Sequence, residues 1–193
     1  MARIRIEKKN VKIDDPEAIR AFLAPFGIQY EKWDVAGRIG AEATNEEILE
    51  AYAPEIDKLK REGGYVTADV INVSPETPGL EAMLDKFNKE HTHSEDEVRF
   101  TVRGSGLFHI HPPEHPVFAI QVESGDLISV PAGTQHWFDL CESRTIRCIR
   151  LFEDMSGWTP HYVEDAVHEG YMPVCMGPSF LPGDAQIESP VKV

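Results

Sequence analysis

The run His91-Thr92-His93-Ser94-Glu95-Asp96-Glu97-Val98-Arg99-Phe100 places two histidines two residues apart and a glutamate four residues beyond the second. On an extended strand, side chains two apart share a face. His91 and His93 can then aim their imidazoles at one point, and Glu97 has the same parity. A pair of neutral imidazoles with one carboxylate suits iron, nickel, zinc or copper.

A second stretch, Gly125-Asp126-Leu127-Ile128-Ser129-Val130-Pro131-Ala132-Gly133-Thr134-Gln135-His136-Trp137-Phe138-Asp139, supplies a further ligand. Its strand-like LISV run ends in a Pro-Ala-Gly turn, where proline presets φ and glycine permits positive φ. His136 follows at the start of another extended run. The two stretches together offer three histidines and one glutamate.

These stretches resemble the two cupin boxes. The first reads His-x-His, three residues, Glu, six residues, Gly, ending at Gly104. The second reads Gly, five residues, Pro-x-Gly, two residues, His, as Gly125, Pro131, Gly133 and His136. Leu140 stands where an asparagine often follows. Within the cupins, HTHSEDEVRF with the following GSGLF is similar to the acireductone dioxygenases of methionine salvage. The likeness continues through PAGTQHWFD to Arg150 and the Gly157-Trp158 pair, over at least the central half of the chain. It implies a mainly β fold, a cupin double-stranded β-helix (jelly-roll barrel) with peripheral N-terminal helices. It also implies one Fe2+ or Ni2+ per chain, and an acireductone and dioxygen as substrates. With iron the products would be formate and the keto acid precursor of methionine. With nickel they would be formate, carbon monoxide and a methylthiopropionate.

Composition is ordinary for a soluble globular protein. The chain has 193 residues, of which 41% are hydrophobic and 27% charged. That length suits one domain with its own core. No run approaches the roughly 18 apolar residues of a membrane helix, and the N-terminal MARIRIEKKN lacks the apolar stretch of a secretory signal. A cytoplasmic location is expected. The net charge of −14, from 33 acidic and 19 basic residues, would repel phosphate backbones, so neither nucleic acid nor membrane is an expected partner. The sequence leaves the oligomeric state open, with a monomer among the options. Cys141, Cys148 and Cys175 form no CxxC pair and are read as buried or partly buried thiols in a reducing compartment.

In chain order, Ile4 and Ile6 alternate with charged residues as in a short strand. Asp15-Pro16 starts a helix as N-cap and first turn, running to about Ala24. Residues 28–35 read as extended. Thr44 and Glu47 fit a capping box, followed by helical spacing to Gly63-Gly64, with Pro54 kinking or splitting the helix. These elements, about 1–64, are expected to decorate the outside of a single domain. The barrel core is placed at about 65–155. It begins with a strand over 65–73 and a short helix over 78–87 that delivers the chain into His91. The Pro- and Gly-rich tail, about 156–193, is expected to wrap the surface or to be partly mobile.

Other candidate residues follow from parity and resemblance. Arg99 shares parity with Glu97, and a buried arginine needs an anion. That anion is either a structural carboxylate or an ionised oxygen of a metal-bound substrate, the role the resemblance implies. Asp96 has the opposite parity and could orient a ligand histidine from outside; Glu90 could do the same. The resemblance assigns Glu90 to metal loading and Asp96 to transmitting shape change, so Asp96 joins Arg99 as a catalytic candidate. Phe138 has the parity of His136 and should line the cavity. Periodicity leaves open whether Arg147 or Arg150 faces inward; the resemblance favours Arg150, with Trp158 as a lid or wall. For Phe138 and Trp158, core packing is the competing reading. His109, His111 and His115 form a rival cluster, but two prolines and the lack of a separate closing ligand favour a loop. His161 and His168 stand alone. Two other functions remain open: a different metal-dependent cupin enzyme, isomerase or diol dioxygenase, and a non-catalytic cupin that binds a small ligand.

Overall fold

The computed structural model describes residues 1–6, 9, 11–154 and 158–176. The strands are β1 (Arg3–Ile6), β2 (Val11–Ile13), β3 (Gln29–Lys32), β4 (Thr67–Val73), β5 (His91–Thr92), β6 (Glu97–Ile110), β7 (Phe118–Glu123), β8 (Asp126–Val130), β9 (His136–Leu140), β10 (Ile146–Phe152) and β11 (His161–Tyr162). The helices are α1 (Pro16–Leu23), α2 (Asn45–Ala51), α3 (Ala53–Gly63) and α4 (Leu80–Phe87). Local chemistry sets several boundaries. The Asp15 side chain accepts from Ala18 N at 2.9 Å to start α1. Both capping-box bonds between Thr44 and Glu47 form at the start of α2. Pro54 divides α2 from α3, and Gly64 ends α3 in the left-handed region at φ 79°.

Strand β6 organises the two sheets because it belongs to both. Its first half pairs with β8 and β10, with Glu97 opposite Val130 and Arg99 opposite both Ile128 and Arg150. Its second half pairs with β7 and β9, with Phe108 opposite both Ile120 and Phe138. The neighbouring strands extend one sheet to β11, β5, β1 and β2 and the other to β3 and β4, and every pairing between them is antiparallel. The N-terminal segment therefore divides. Helices α2 and α3 lie outside, while α1 packs Ile19 and Leu23 into the interior cluster, and β1 and β3 enter the sheets as hydrogen-bonded members, correcting the reading of the whole segment as decoration.

The strand changes sheets at Gly104, which has φ 80°, and the β10 register shifts nearby. Before the corner Glu97 and Arg99 share the inner face, while Val98, Phe100 and Val102 pack outward. Beyond it Phe108 and Ile110 join the interior and Leu107 turns outward. Inner parity thus switches from odd to even. A Cβ at Gly104 would stand 2.0 Å from the Thr145 carbonyl oxygen, a backbone atom that cannot rotate away. Gly104→Ala is expected to cost about 3 kcal/mol, combining positive-φ strain with the clash. Urea unfolding reads this directly, and a loss below about 1 kcal/mol would show that the corner relaxes freely.

Two apolar layers flank the sheets. Ile48, Tyr52, Ile56 and Leu59 of α2 and α3 cover Val98, Phe100, Ile149 and Leu151. Trp33 and Tyr52 stand 4.6 and 4.8 Å from the Phe100 ring. The barrel interior holds Phe108, Phe118, Ile120, Ile128, Val130 and Phe138. Outside the other sheet, Leu107 and Ala119 meet Cys141 and Cys175. Those cysteines form a disulfide with Cα atoms 5.7 Å apart, which corrects the expectation of three thiols. They lie 34 residues apart in sequence, and only the return of the tail over β9 brings them together. Cys148 is a buried free thiol, and burial pushes its pKa up to about 11. The tail from 158 to 176 does lie on the surface of the sheets; Gly157 and residues 177–193 lie outside the described residues.

Candidate metal centre

The short strand β5 sets His91 directly opposite His136 on β9. Glu97 opens β6 opposite Val130 at the end of β8. The turn between β8 and β9 is tied to the first histidine run, because Gly133 N donates to His93 O at 2.9 Å. His91, His93, Glu97 and His136 converge here, with one ligand atom from each lying within 4.8 Å of all the others. All four are at most 3% exposed.

Backbone carbonyls decide what the imidazoles offer. The Nδ1 atoms of His91, His93 and His136 lie 2.6, 3.0 and 2.8 Å from the carbonyl oxygens of Lys89, Thr159 and Thr134. A carbonyl only accepts, so each Nδ1 carries the proton and each Nε2 keeps its lone pair. The three Nε2 atoms thus become candidate donors toward one point, a usual outer support of metal-ligating histidines. Burial, and then the neighbouring His136, pushes His91 down to about 4, which keeps its imidazole neutral at ordinary pH.

Glu97 completes the set. Burial alone would raise its carboxyl, but the Arg99 guanidinium beside it holds it well below the usual carboxylate range. Its Oε2 lies 2.9 Å from His136 Nε2 and 3.2 Å from His93 Nε2. Its Oε1 lies 2.6 Å from Arg99 Nε. That approach has ion-pair distance without hydrogen-bond alignment, so Glu97 Oε1 and Arg99 Nε remain unsatisfied, as do the Nε2 atoms of His91 and His93. Buried lone pairs converging without donors are costly. A divalent cation with N and O preferences satisfies them together, and iron or nickel fits this donor set.

The ARD/ARD' family profile matches residues 7–160 of the chain, including every one of these ligands. The chain belongs to the ARD/ARD' family. It is 43% identical over 164 residues to an acireductone dioxygenase from a Picosynechococcus species, covering 85% of this chain and 93% of that one. Against an acireductone dioxygenase from Stutzerimonas stutzeri it is 46% identical over 155 residues, covering 80% and 85%. A solved acireductone dioxygenase from Bacillus anthracis, with a cadmium ion in its active center, superposes with a TM-score of 0.79 at 38% identity. That match covers 84% of this chain and 98% of the other. The fold is that of the cupin members of this family, and the centre binds one metal.

Around the ARD/ARD' centre, the side chain of Arg99 sits among three rings. Its guanidinium carbon is 4.7 Å from the Phe138 centroid, 5.0 Å from Trp158 and 5.5 Å from Phe108. Trp158 donates from Nε1 to the Asp96 carbonyl at 3.1 Å and lies against Phe152 at 4.7 Å. Arg150 shares the face of Arg99, and its fork closes on Asp69 at 2.8 and 2.6 Å. Arg147 points the other way, to Ala43 O at 2.7 Å and Asn45 at 3.1 Å. The tertiary pairing thus decides between two arginines that periodicity could not separate.

The Asp96 side chain does not reach a ligand histidine among the described residues. One oxygen accepts from Ala132 N at 3.0 Å and the other from Tyr65 Oη at 3.1 Å. It orients the second box through the backbone of its turn, which corrects the expected contact with a histidine. Glu90 is fully buried and meets His111 Nδ1 at 2.6 Å. The rival histidines disperse. His109 stacks on Trp137 at 4.8 Å outside the barrel, His111 takes Glu90, and His115 Nδ1 faces Pro116 O at 2.7 Å. Burial pushes His109 down to about 3, so it stays a neutral packed ring. Sequence reasoning missed the three orienting carbonyls of Lys89, Thr134 and Thr159. Every residue has a carbonyl, so no sequence signal marks these.

Proposed function

We propose that the chain acts as a metal-dependent acireductone dioxygenase. The substrate is 1,2-dihydroxy-5-(methylthio)pent-1-en-3-one, cleaved with dioxygen. With iron the products are formate and 4-methylthio-2-oxobutanoate; with nickel they are formate, carbon monoxide and 3-(methylthio)propanoate. The observation that carries this reading is the placement of Arg99. A cation is held beside the carboxylate ligand on the inner face, where the ionised oxygen of a chelating ene-diol would need a partner.

His91, His93, Glu97 and His136 would hold the Fe2+ or Ni2+. Bound there, the metal would supply Lewis acidity toward the oxygens of the substrate. The protein's own residues do the rest. Arg99 stabilises the deprotonated substrate through a charge-assisted hydrogen bond. The Nδ1–carbonyl contacts fix the orientation of the imidazoles and keep each Nε2 lone pair free for the metal. Phe108, Phe138 and Trp158 exclude water around Arg99, which strengthens its attraction for an anion. The electron-rich dianion reduces dioxygen, both of whose atoms end bonded to carbon in the products as the carbon–carbon bond breaks.

One apoprotein reloaded separately with each metal tests this reading through oxygen uptake and product analysis. Carbon monoxide is expected from the nickel form only. Identical products from both forms would reject coordination geometry as the selector. Binding of the ene-diol without oxygen uptake in either form would make the chain a small-ligand binding protein instead.

A further inference from the structure

The segment 158–176 touches the metal centre at one end and the disulfide at the other. At its start, Thr159 O faces His93 Nδ1. Next, β11 pairs with β5, placing Tyr162 opposite His91 and His161 opposite Thr92. Val163 N then donates to Glu90 O at 3.1 Å. The chain continues over β9, where the rings of Tyr171 and His168 lie 5.7 and 6.2 Å from Trp137, the neighbour of His136. It ends at Cys175, bonded to Cys141 just past β9, and at Met176, whose N donates to Gln121 Oε1 and whose carbonyl accepts from Arg3.

This segment has little hydrophobic hold of its own. From 158 to 174 no residue is buried, whereas Cys175 and Met176 both are. Segments with few buried contacts open locally at low free energy. The covalent anchor therefore limits how far the segment can lift away from the ligand strand. A cleft of about 380 Å³ lined by Glu81, Asp139, Arg144 and Pro173 borders both cysteines, which are 7% and 6% exposed.

We propose that Cys141–Cys175 is a redox latch that sets how firmly the centre holds its metal, acting through Thr159 and β11 on His93 and His91. The reductant is a cellular dithiol. One of its thiolates attacks a protein sulfur and expels the other cysteine as a thiolate, forming a mixed disulfide. The second thiolate of the reductant resolves that bond, leaving two protein thiols and one oxidised dithiol. With the latch open the segment frays, the Thr159 carbonyl leaves His93 Nδ1, and the imidazole loses its fixed orientation. Loss of such an outer support weakens metal affinity by roughly ten- to a hundredfold.

The inference rests on the metal-centre reading, and the experiment separates the two. Apoprotein is oxidised with oxidised glutathione or reduced with a dithiol, the reagent is removed anaerobically, and nickel is loaded. Nickel transfer to a colorimetric chelator is timed, and amide exchange is followed over 158–176. Reduction is expected to speed transfer about tenfold and to expose the segment's amides. Cys175→Ser should behave as the reduced protein does and ignore the reductant, with circular dichroism unchanged. Alkylation after denaturation should find one thiol, Cys148, in the oxidised form and three in the reduced form. Equal transfer rates in both forms, or three thiols after oxidation, would overturn the latch alone. An oxidised protein that retains no nickel would overturn the metal centre, and the latch with it.

Discussion

His136→Ala is expected to empty the metal centre and abolish turnover. The Nε2 of this residue meets Glu97 Oε2 at 2.9 Å, while Thr134 O holds its other nitrogen at 2.8 Å. It supplies the ligand from the second box, across the sheet from His91. Structural four-ligand zinc sites bind with about 10–16 kcal/mol, or about 3 kcal/mol for each ligand, and a loss of that size here would lower affinity roughly a hundred- to a thousandfold. The fold should survive, because β9 stays paired to β6 through Phe138–Phe108 and Trp137–His109. Glu97 would keep Arg99 as its counter-ion, so no carboxylate is left buried and unpaired. His93→Ala should behave alike. Elemental analysis and oxygen uptake read the outcome, and full occupancy with normal turnover in either variant would reject the four-ligand centre.

Arg99→Met is expected to slow oxidation by roughly ten- to a hundredfold while leaving the protein folded and metal-loaded. A hydrogen bond to a charged group contributes about 1.5–3 kcal/mol, and each 1.36 kcal/mol is about tenfold in rate. Methionine keeps much of the apolar stem and can fill the space between Phe108, Phe138 and Trp158. Arg99 is 7% exposed and pairs with Glu97, so two roles compete: counter-ion to the ligand carboxylate, or anchor for the ionised substrate. Ultraviolet absorbance on anaerobic mixing distinguishes them. The anchor role requires the variant to fail to hold the fully deprotonated ene-diol. Wild-type absorbance and turnover would leave Arg99 as a counter-ion to Glu97 only.

The donor set of the metal centre was legible in the sequence alone. Donor residues must be of particular types at particular spacings, and the Pro-x-Gly turn before His136 is written in residues that few other conformations require. Parity placed Arg99 on the face of Glu97 because both precede the corner of β6. The same rule fails beyond Gly104, where a residue at φ 80° switches the inner parity and sends Leu107 and His109 outward. The capping box of α2 and the break at Pro54 were legible for a related reason, since their partners lie within a few residues.

Only the tertiary structure decided the rest. It set Arg150 on the inner face and Arg147 outside it, through which strand lies across from each. It turned Asp96 toward Ala132 and Tyr65 rather than toward an imidazole. It joined Cys141 to Cys175 across 34 residues, and it brought the Thr159 carbonyl to His93 from 66 residues away. These contacts are long-range and several use backbone atoms common to every residue. Their specificity lies in how the chain returns over the sheets, and no local spacing records that path.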